Sequence, residues 1–134
     1  MYSLGKRSRR NMIGLHPFLA FAIEKAIERT GVDFGVIGGV RSMKKQRRLI
    51  AQGKSKTLNS YHLYGLAADL VPYYNSEYTW SYDDLFYGVE DAMKSVINEY
   101  DLPIEWGYDK WRWDKPHWQM TGYRDRYDIR KFAK

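Results

Sequence analysis

The 134-residue chain contains no cysteine. This absence excludes disulfide bonds, cysteine nucleophiles and thiolate metal sites, and it leaves histidine, aspartate and glutamate as the strong metal ligands. Histidine is also scarce, because only His16, His62 and His117 are present. A metal site in this protein would therefore have to combine members of this small set with carboxylates.

The chain also lacks an apolar run that approaches the roughly 18–20 residues of a membrane span. Basic residues precede an apolar stretch near the N-terminus, as in signal peptides, but His16 and Pro17 interrupt that stretch and Glu24 and Lys25 follow it. A small-residue cleavage pattern is absent as well. We therefore expect this segment to be mature sequence, and the protein to be made in the cytoplasm without a signal peptide.

The composition is that of a folded protein with a basic surface. Hydrophobic residues make up 44% of the chain and aromatic residues 16%, and no repeat or Pro-, Gly- or Ser-rich linker divides it, which predicts one domain over residues 1–134. The 22 basic and 16 acidic residues give a net charge of +6. This charge favours an anionic partner such as nucleic acid, anionic lipid or a cell-wall polymer, without choosing among them.

The first half of the chain predicts a helix, a strand and a second helix. Pro17 suits a first helical turn, Gly31 suits a stop, and His16 is best interpreted as a capping or surface residue. Residues 33–40 read as a buried strand, residues 42–52 as a basic helix, and residues 53–60 as a polar loop. The apolar stripe of the first helix comprises Phe18, Leu19, Ala22, Ile23, Ala26 and Ile27.

The second half predicts further strands around one long helix. Residues 67–74 form a short apolar strand that stops near Pro72, and Ser81 and Asp84 have the spacing of a capping pair that opens a helix. Residues 104–111 and 117–120 are aromatic and strand-like. We expect an α+β domain with a small, mainly antiparallel sheet flanked by helices. The predicted core face of the long helix comprises Phe86, Val89, Met93, Val96, Ile97 and Tyr100.

Two of the three histidines are near carboxylates in the sequence. His62 and Asp69 are seven positions apart, with Gly65 between them to turn the backbone so that the side chains can converge. Asp69 enters an apolar strand, where a carboxylate is costly unless it is paired or coordinated. Asp114 precedes His117 by three positions. On spacing alone, each histidine is more often structural than a ligand, so both interpretations remain open here.

The motifs around these residues resemble a known family. Residues 60–69, SYHLYGLAAD, fit the pattern Ser-x-His-x-x-Gly-x-Ala-x-Asp at all five fixed positions. This pattern is similar to that of zinc peptidases in the D-alanyl-D-alanine carboxypeptidase and L-alanyl-D-glutamate endopeptidase family. The segment EWGYDKWRWDKPHWQM resembles the family's acidic residue three positions before a histidine, and GGVRSMKKQRRLIAQGKSKT resembles its arginine after a strand.

The resemblance implies a role for seven residues. It implies His62, Asp69 and His117 as ligands of one Zn²⁺ per chain, and Asp114 as the carboxylate that takes a proton from the attacking water and passes it to the leaving amine. It implies Arg41 as the group that holds the substrate carbonyl or stabilises the oxyanion. Ser60 and Gln46 are candidate substrate-binding residues, with supporting roles as the simplest expectation.

The resemblance also implies a Hedgehog/DD-peptidase-like fold and a function. The small size is similar to that of phage endolysins, so we expect hydrolysis of the L-alanyl–D-glutamate bond in peptidoglycan stems during bacterial host lysis. The enzyme would reach the wall after the membrane is permeabilised, and would act as a monomer without a separate wall-binding domain. D-alanyl–D-alanine hydrolysis is the alternative bond. Two departures concern substrate specificity: Tyr108 follows the Trp-Gly pair, and residues 122–134 carry no family motif.

Two hypotheses from other classes compete with the peptidase. A nucleic-acid-binding module would explain the basic helical segment RSMKKQRR and the segment KWRWDKPHW, which mixes cations with aromatic residues. A solvated helix face and a tryptophan-rich core edge explain the same segments. Acidic residues are interleaved with the basic ones after residue 80 and no known nucleic-acid motif is present, so we do not expect a nucleic-acid partner. A binding protein without catalysis would need neither Asp114 nor Arg41, and a structural zinc site would favour four protein ligands.

Overall fold

The computed structural model of the chain describes residues 1–57 and 60–123. In these residues, five α-helices and one 3-10 turn surround an antiparallel sheet. The helices are α1 (Lys6–Asn11), α2 (Pro17–Arg29), α3 (Met43–Ala51), α4 (Asp83–Tyr100) and α5 (Gly107–Trp111), and the 3-10 turn is Tyr61–Tyr64. The strands are β1 (Phe34–Gly38), β2 (Ala67–Tyr74), β3 (Glu77–Tyr78), β4 (Ile104–Trp106) and β5 (His117–Met120).

The sheet has the strand order β1-β2-β5-β4, and β3 pairs with β2 off this path. Every pairing is antiparallel. The register places Asp69 of β2 opposite Gly38 on one side and opposite His117 on the other. The predicted α+β domain with a small antiparallel sheet is thus confirmed, and the sheet order brings two of the candidate ligands into adjacent strands.

The core lies between the sheet and helices α2 and α4. The buried face of α2 is the predicted stripe apart from Phe18, which is 48% exposed. On α4 the predicted face is buried through Val96, but Tyr100 is 43% exposed and meets the ring of Phe21 edge-on. Trp106 and Trp118 stack across the β4–β5 pair and close the core on that side.

Two predictions about element boundaries are wrong. The N-cap of α4 is Tyr82, with no side-chain cap, so Ser81 and Asp84 do not form a capping pair. Strand β4 ends at Trp106 and the chain continues as α5, because Trp106 is the last β4 residue that β5 pairs with. The predicted residues of β2, 67–74, are confirmed, since β1 pairs with Pro72 and β3 pairs with the two residues after it.

Helix α1, which periodicity did not predict, covers the outer edge of β1. The Ser8 hydroxyl oxygen accepts a hydrogen bond from the Val36 N–H at 2.9 Å, and the Asn11 side-chain amide donates to the Val36 carbonyl at 2.7 Å. An uncovered edge strand would leave these backbone groups free to pair with another chain. Two short polar side chains therefore end the sheet at this edge.

Replacing Ser8 with alanine should destabilise the protein. The hydroxyl and Val36 are both buried, so the Ser8→Ala substitution would leave the Val36 N–H without an acceptor, at a cost of about 1–3 kcal/mol in the free energy of unfolding. Urea denaturation would measure this loss. The control is Ser81→Ala, whose exposed position outside the α4 cap predicts a change within about 0.5 kcal/mol. Equal effects of the two substitutions would contradict the role of α1 as an edge cover.

Candidate metal centre

The candidate site is built from three segments that meet at the middle of the sheet. Asp69 and His117 are cross-strand partners on β2 and β5, so their side chains project from the same face of the sheet. His62 comes from the 3-10 turn, which ends at Gly65 in the left-handed conformation, with φ 72°. A Cβ on Gly65 would lie 2.3 Å from the Gly14 carbonyl oxygen, so both the backbone angle and the packing require glycine there.

The side chains of His62, Asp69 and His117, which we call the metal group, could hold a metal ion. His62 Nε2 lies 3.4 Å from Asp69 Oδ2, and His117 Nδ1 lies 3.4 Å from Asp69 Oδ1. One ligand atom from each residue lies within 4.8 Å of the other two. Tetrahedral ligands at zinc bond lengths are separated by about 3.3 Å. The spacing therefore suits a single ion held by three protein ligands.

Hydrogen bonds on the far side of each imidazole ring determine which nitrogen is available. His62 Nδ1 lies 2.9 Å from the Gly39 carbonyl oxygen, which can only accept, so Nδ1 carries the proton of the neutral ring and the lone pair is on Nε2. His117 Nε2 lies 2.8 Å from Gln119 Oε1, which leaves the lone pair of His117 on Nδ1. Both lone pairs face Asp69. Metal-binding histidines are commonly oriented in this way by a second hydrogen bond.

Gln119 is a supporting residue that the sequence analysis missed. It is 3% exposed, and its amide nitrogen donates to Glu105 Oε1 at 2.8 Å, which turns the amide oxygen toward His117. Lys110 also donates to Glu105 Oε1, at 3.3 Å. A pattern in the sequence could have identified Gln119, because residues 117 and 119 share one face of a strand and a buried glutamine on that face needs a partner.

The Asp69 carboxylate is held in its ionised form. Burial alone would raise its pKa, but when the two imidazoles are protonated, the positive charge of His62 and the hydrogen bonds that His117 and His62 donate lower the pKa well below its ordinary value. Arg41 Nη2, 4.0 Å from Asp69 Oδ2, adds a further cation at the same edge. Once the two imidazoles release these protons, the group combines one carboxylate with two imidazole nitrogens, a donor set that suits zinc.

Arg41 is held beside the group by Gln46. Arg41 Nη1 donates to Gln46 Oε1 at 2.8 Å, and Gln46 Nε2 donates in turn to Ser55 Oγ and to the Thr57 carbonyl oxygen. The Arg41 backbone N–H also donates to the His62 carbonyl oxygen. Gln46 has no exposed surface, so its contacts join α3, the loop after it and Arg41 within the protein.

Asp114 and Ser60 are close to the metal group but are not part of it. Both line the cleft that contains His62, Asp69 and His117. Burial raises the pKa of Asp114, and the nearby His117, His62 and Arg41 oppose that rise only in part. Ser60 caps the 3-10 turn, because its hydroxyl oxygen accepts from the His62 N–H at 3.2 Å.

The cleft has a volume of about 760 Å³, within the range of sites for small ligands. It opens onto the metal group. Arg41 and residues 53–57 lie toward β1, and Trp111, Trp113 and Asp114 lie toward β4 and β5.

His16 does not line this cleft. Its Nδ1 accepts a hydrogen bond from the Phe18 N–H at the start of α2, as the capping interpretation predicted.

The fold therefore presents a cleft at the bottom of which three side chains could hold one metal ion, an arrangement typical of small metal-dependent enzymes. Residues 1–129 match the model of the phage L-alanyl-D-glutamate peptidase family, and the chain belongs to that family. It is 27% identical to the L-alanyl-D-glutamate peptidase of Escherichia phage T5, over 81% of each chain. The family resemblance in the motifs is thereby confirmed.

Two further relatives agree with this assignment. The chain is 34% identical to the peptidoglycan L-alanyl-D-glutamate endopeptidase CwlK of Bacillus subtilis, over 79% of this chain and 73% of CwlK. The crystal structure of the Serratia marcescens L-Ala D-Glu endopeptidase ChiX is similar with a TM-score of 0.80 and 35% identity. That similarity covers 89% of this chain and 90% of ChiX, so the fold extends across nearly all of both proteins.

Removing the Gln119 side-chain amide should weaken metal binding. In a Gln119→Leu variant, His117 loses the acceptor that keeps its proton on Nε2, and the Zn²⁺ affinity should fall by roughly 10–100-fold. Competition with a chromophoric chelator measures this affinity without any substrate. A Gln52→Leu substitution at an exposed position provides the control. Equal Zn²⁺ affinities for the two variants would show that Gln119 does not orient His117.

Proposed function

We propose that this protein is a zinc peptidase that hydrolyses the L-alanyl–D-glutamate bond in the peptide stems of peptidoglycan. The observation that carries the proposal is the arrangement of two imidazole lone pairs around the Asp69 carboxylate, at the floor of a cleft that also contains Asp114 and Arg41. The relatives are L-alanyl-D-glutamate peptidases by name, which supports this bond over the D-alanyl–D-alanine alternative.

His62, Asp69 and His117 would hold the zinc ion. When bound there, zinc would polarise the scissile carbonyl and make a water molecule nucleophilic at neutral pH. Three protein ligands leave a fourth position of a tetrahedral site for that chemistry, whereas a structural site would fill it with protein. Among the described residues, the ligand group contains no fourth member, which favours a catalytic site.

Asp114 would move the proton. It lines the cleft outside the ligand group, and its raised pKa brings the carboxyl group closer to the range in which it can both accept and return a proton. Asp114 would accept a proton from the attacking water and donate it to the leaving amine. This transfer matters because an amine leaves far more easily than an amide anion.

Arg41 would stabilise the negative charge that develops on the substrate oxygen. Its guanidinium group is held in place by Gln46, so little reorganisation is required when that charge appears. Gln46 would therefore act through Arg41, since its buried side chain does not reach the cleft surface. Ser60 would position His62 through the cap of the 3-10 turn, and would line the cleft near the substrate.

Membership of this family supports a proposal about where the enzyme acts. We propose that the enzyme acts on the bacterial cell wall in host lysis, after synthesis in the host cytoplasm, as a monomer with a single catalytic domain. In the described residues, no helix is long and apolar enough to cross a membrane. The exposed basic side chains of α3, which motivated the nucleic-acid alternative, would instead favour approach to an anionic wall; they are Lys44, Lys45, Arg47 and Arg48.

Mass spectrometry of digested peptidoglycan tests the proposal. The zinc-loaded enzyme should release fragments with new D-glutamyl N-termini, and a chelator should abolish this release. An Asp114→Asn variant should lose roughly 100-fold or more in kcat while it retains zinc, because the change removes the proton acceptor and not a ligand.

An Asp91→Asn variant is the control for this substitution, since Asp91 is exposed on α4 and does not line the cleft. New termini at D-alanine would support the alternative bond. Undiminished cleavage by the metal-free protein, or by the Asp114→Asn variant, would contradict the mechanism.

A further inference from the structure

Two tryptophans beside the metal group are exposed in a way that the hydrolytic chemistry does not explain. Trp80 is 57% exposed and Trp113 is 71% exposed, and both line the cleft. Within the described residues, neither ring packs against another aromatic ring or beneath a cation. Large apolar side chains at the mouth of a cleft mark a surface that a ligand covers.

Both tryptophans lie on the same side of the metal group. Trp113 precedes β5 in the connection from β4. Trp80 follows β3, and two backbone hydrogen bonds show on which side of β2 this strand lies. The Leu70 N–H donates to the Pro116 carbonyl oxygen, just before β5, and the Thr79 N–H donates to the Pro72 carbonyl oxygen. Residues 70 and 72 of a strand face the same edge, so β3 lies on the β5 side of β2. The Lys115–Asp83 ion pair at 3.3 Å joins the two segments that carry the tryptophans.

The opposite wall of the cleft is basic. Lys54 and Lys56 line it from the loop after α3, on the β1 side, where Gln46 holds Ser55 and Thr57. Both lysines are exposed, and neither forms an ion pair with a residue that the structure describes. The cleft therefore changes from aromatic to cationic across the metal group.

This polarity matches the chemistry of a peptidoglycan stem. On the amino side of the L-alanyl–D-glutamate bond, the alanine is attached to an N-acetylated amino sugar, whose pyranose ring has apolar C–H faces. On the carboxyl side, the glutamate carries a free carboxylate. A tryptophan wall suits the first chemistry and a pair of lysines suits the second.

We propose that Trp80 and Trp113 form a subsite for the amino-sugar ring, so that the substrate lies across the metal group from the tryptophan wall to the lysine wall. This inference rests on the proposed function and adds the glycan as part of the recognised substrate. The subsite makes the enzyme prefer stems that are still attached to sugar over free stem peptides.

The test compares two soluble substrates: a stem tetrapeptide, and the same peptide attached to its N-acetylglucosamine–N-acetylmuramic acid disaccharide. The measured quantity is the ratio of kcat/KM for the disaccharide-peptide to kcat/KM for the free peptide. Trp80→Ala and Trp113→Ala should each lower this ratio, by up to roughly tenfold, because aromatic stacking contributes on that scale. Trp80→Phe should retain most of the preference. Both tryptophans are exposed, so thermal melts should match the wild-type protein.

Two matched variants separate this subsite from other effects. The Lys54→Met/Lys56→Met double variant should lower kcat/KM for both substrates and leave the ratio unchanged. Tyr74→Ala removes an exposed aromatic residue outside the cleft and should not alter the ratio. If the ratio is the same in the wild-type protein and in both tryptophan variants, the subsite is overturned while the peptidase function stands. If the zinc-loaded wild-type protein cleaves neither substrate, the proposed function itself fails.

Discussion

The antiparallel register between β2 and β5 is the constraint on which the site depends. Because Asp69 lies opposite His117, the carboxylate and the imidazole share one face of the sheet. The same register places Gln119 opposite Glu105, so the residues that orient His117 are also cross-strand partners. A one-residue slip of β2 would turn Asp69 into the apolar core, and a one-residue slip of β5 would turn Trp118 toward the cleft. The stacked Trp106 and Trp118 on the core face oppose such a slip, which makes core packing and site geometry parts of one arrangement.

The candidate metal ligands are also held in place by hydrogen bonds before any ion binds. The lone pairs of His62 and His117 are aimed by acceptors on the far side of each ring, and these acceptors are a backbone carbonyl and a buried amide that other residues hold. Buried polar groups are costly unless they are bonded, so each of these partners stabilises the fold as well as the site. In the described residues, no buried side-chain nitrogen or oxygen lacks a hydrogen-bond partner. Beside Asp69, the buried Gln46 side chain holds the Arg41 guanidinium group by a hydrogen bond in the same way.

Much of the fold and of the candidate site could be predicted from the sequence, because a short motif and the spacing of apolar residues indicate these parts. The motif from Ser60 to Asp69 identified two members of the group that could hold a metal ion, and the turn at Gly65. Periodicity identified α2 and most of the core face of α4. Helix α1 has no apolar stripe to reveal it, since its role is to bond the β1 edge through Ser8 and Asn11. Helix α5 replaced a predicted strand because β5 pairs with β4 only as far as Trp106. A Cβ on Gly107 would lie 3.0 Å from the carbonyl oxygens of Asp114 and His117, a tertiary constraint that alternation does not encode. Strand alternation places Gln119 on the same face as His117, whereas its orientation depends on Glu105 of the neighbouring strand, which alternation does not reveal.

The central claim is that His62, Asp69 and His117 bind one zinc ion together. Zinc-edge X-ray absorption spectroscopy on the zinc-loaded full-length protein tests it most directly, because imidazole rings give characteristic outer-shell scattering. We expect a four-coordinate ion with nitrogen and oxygen ligands and two imidazoles, consistent with the donor set. A His62→Ala variant should show one imidazole or no bound zinc. A spectrum without imidazole scattering, or one that the His62→Ala substitution leaves unchanged, would contradict the account.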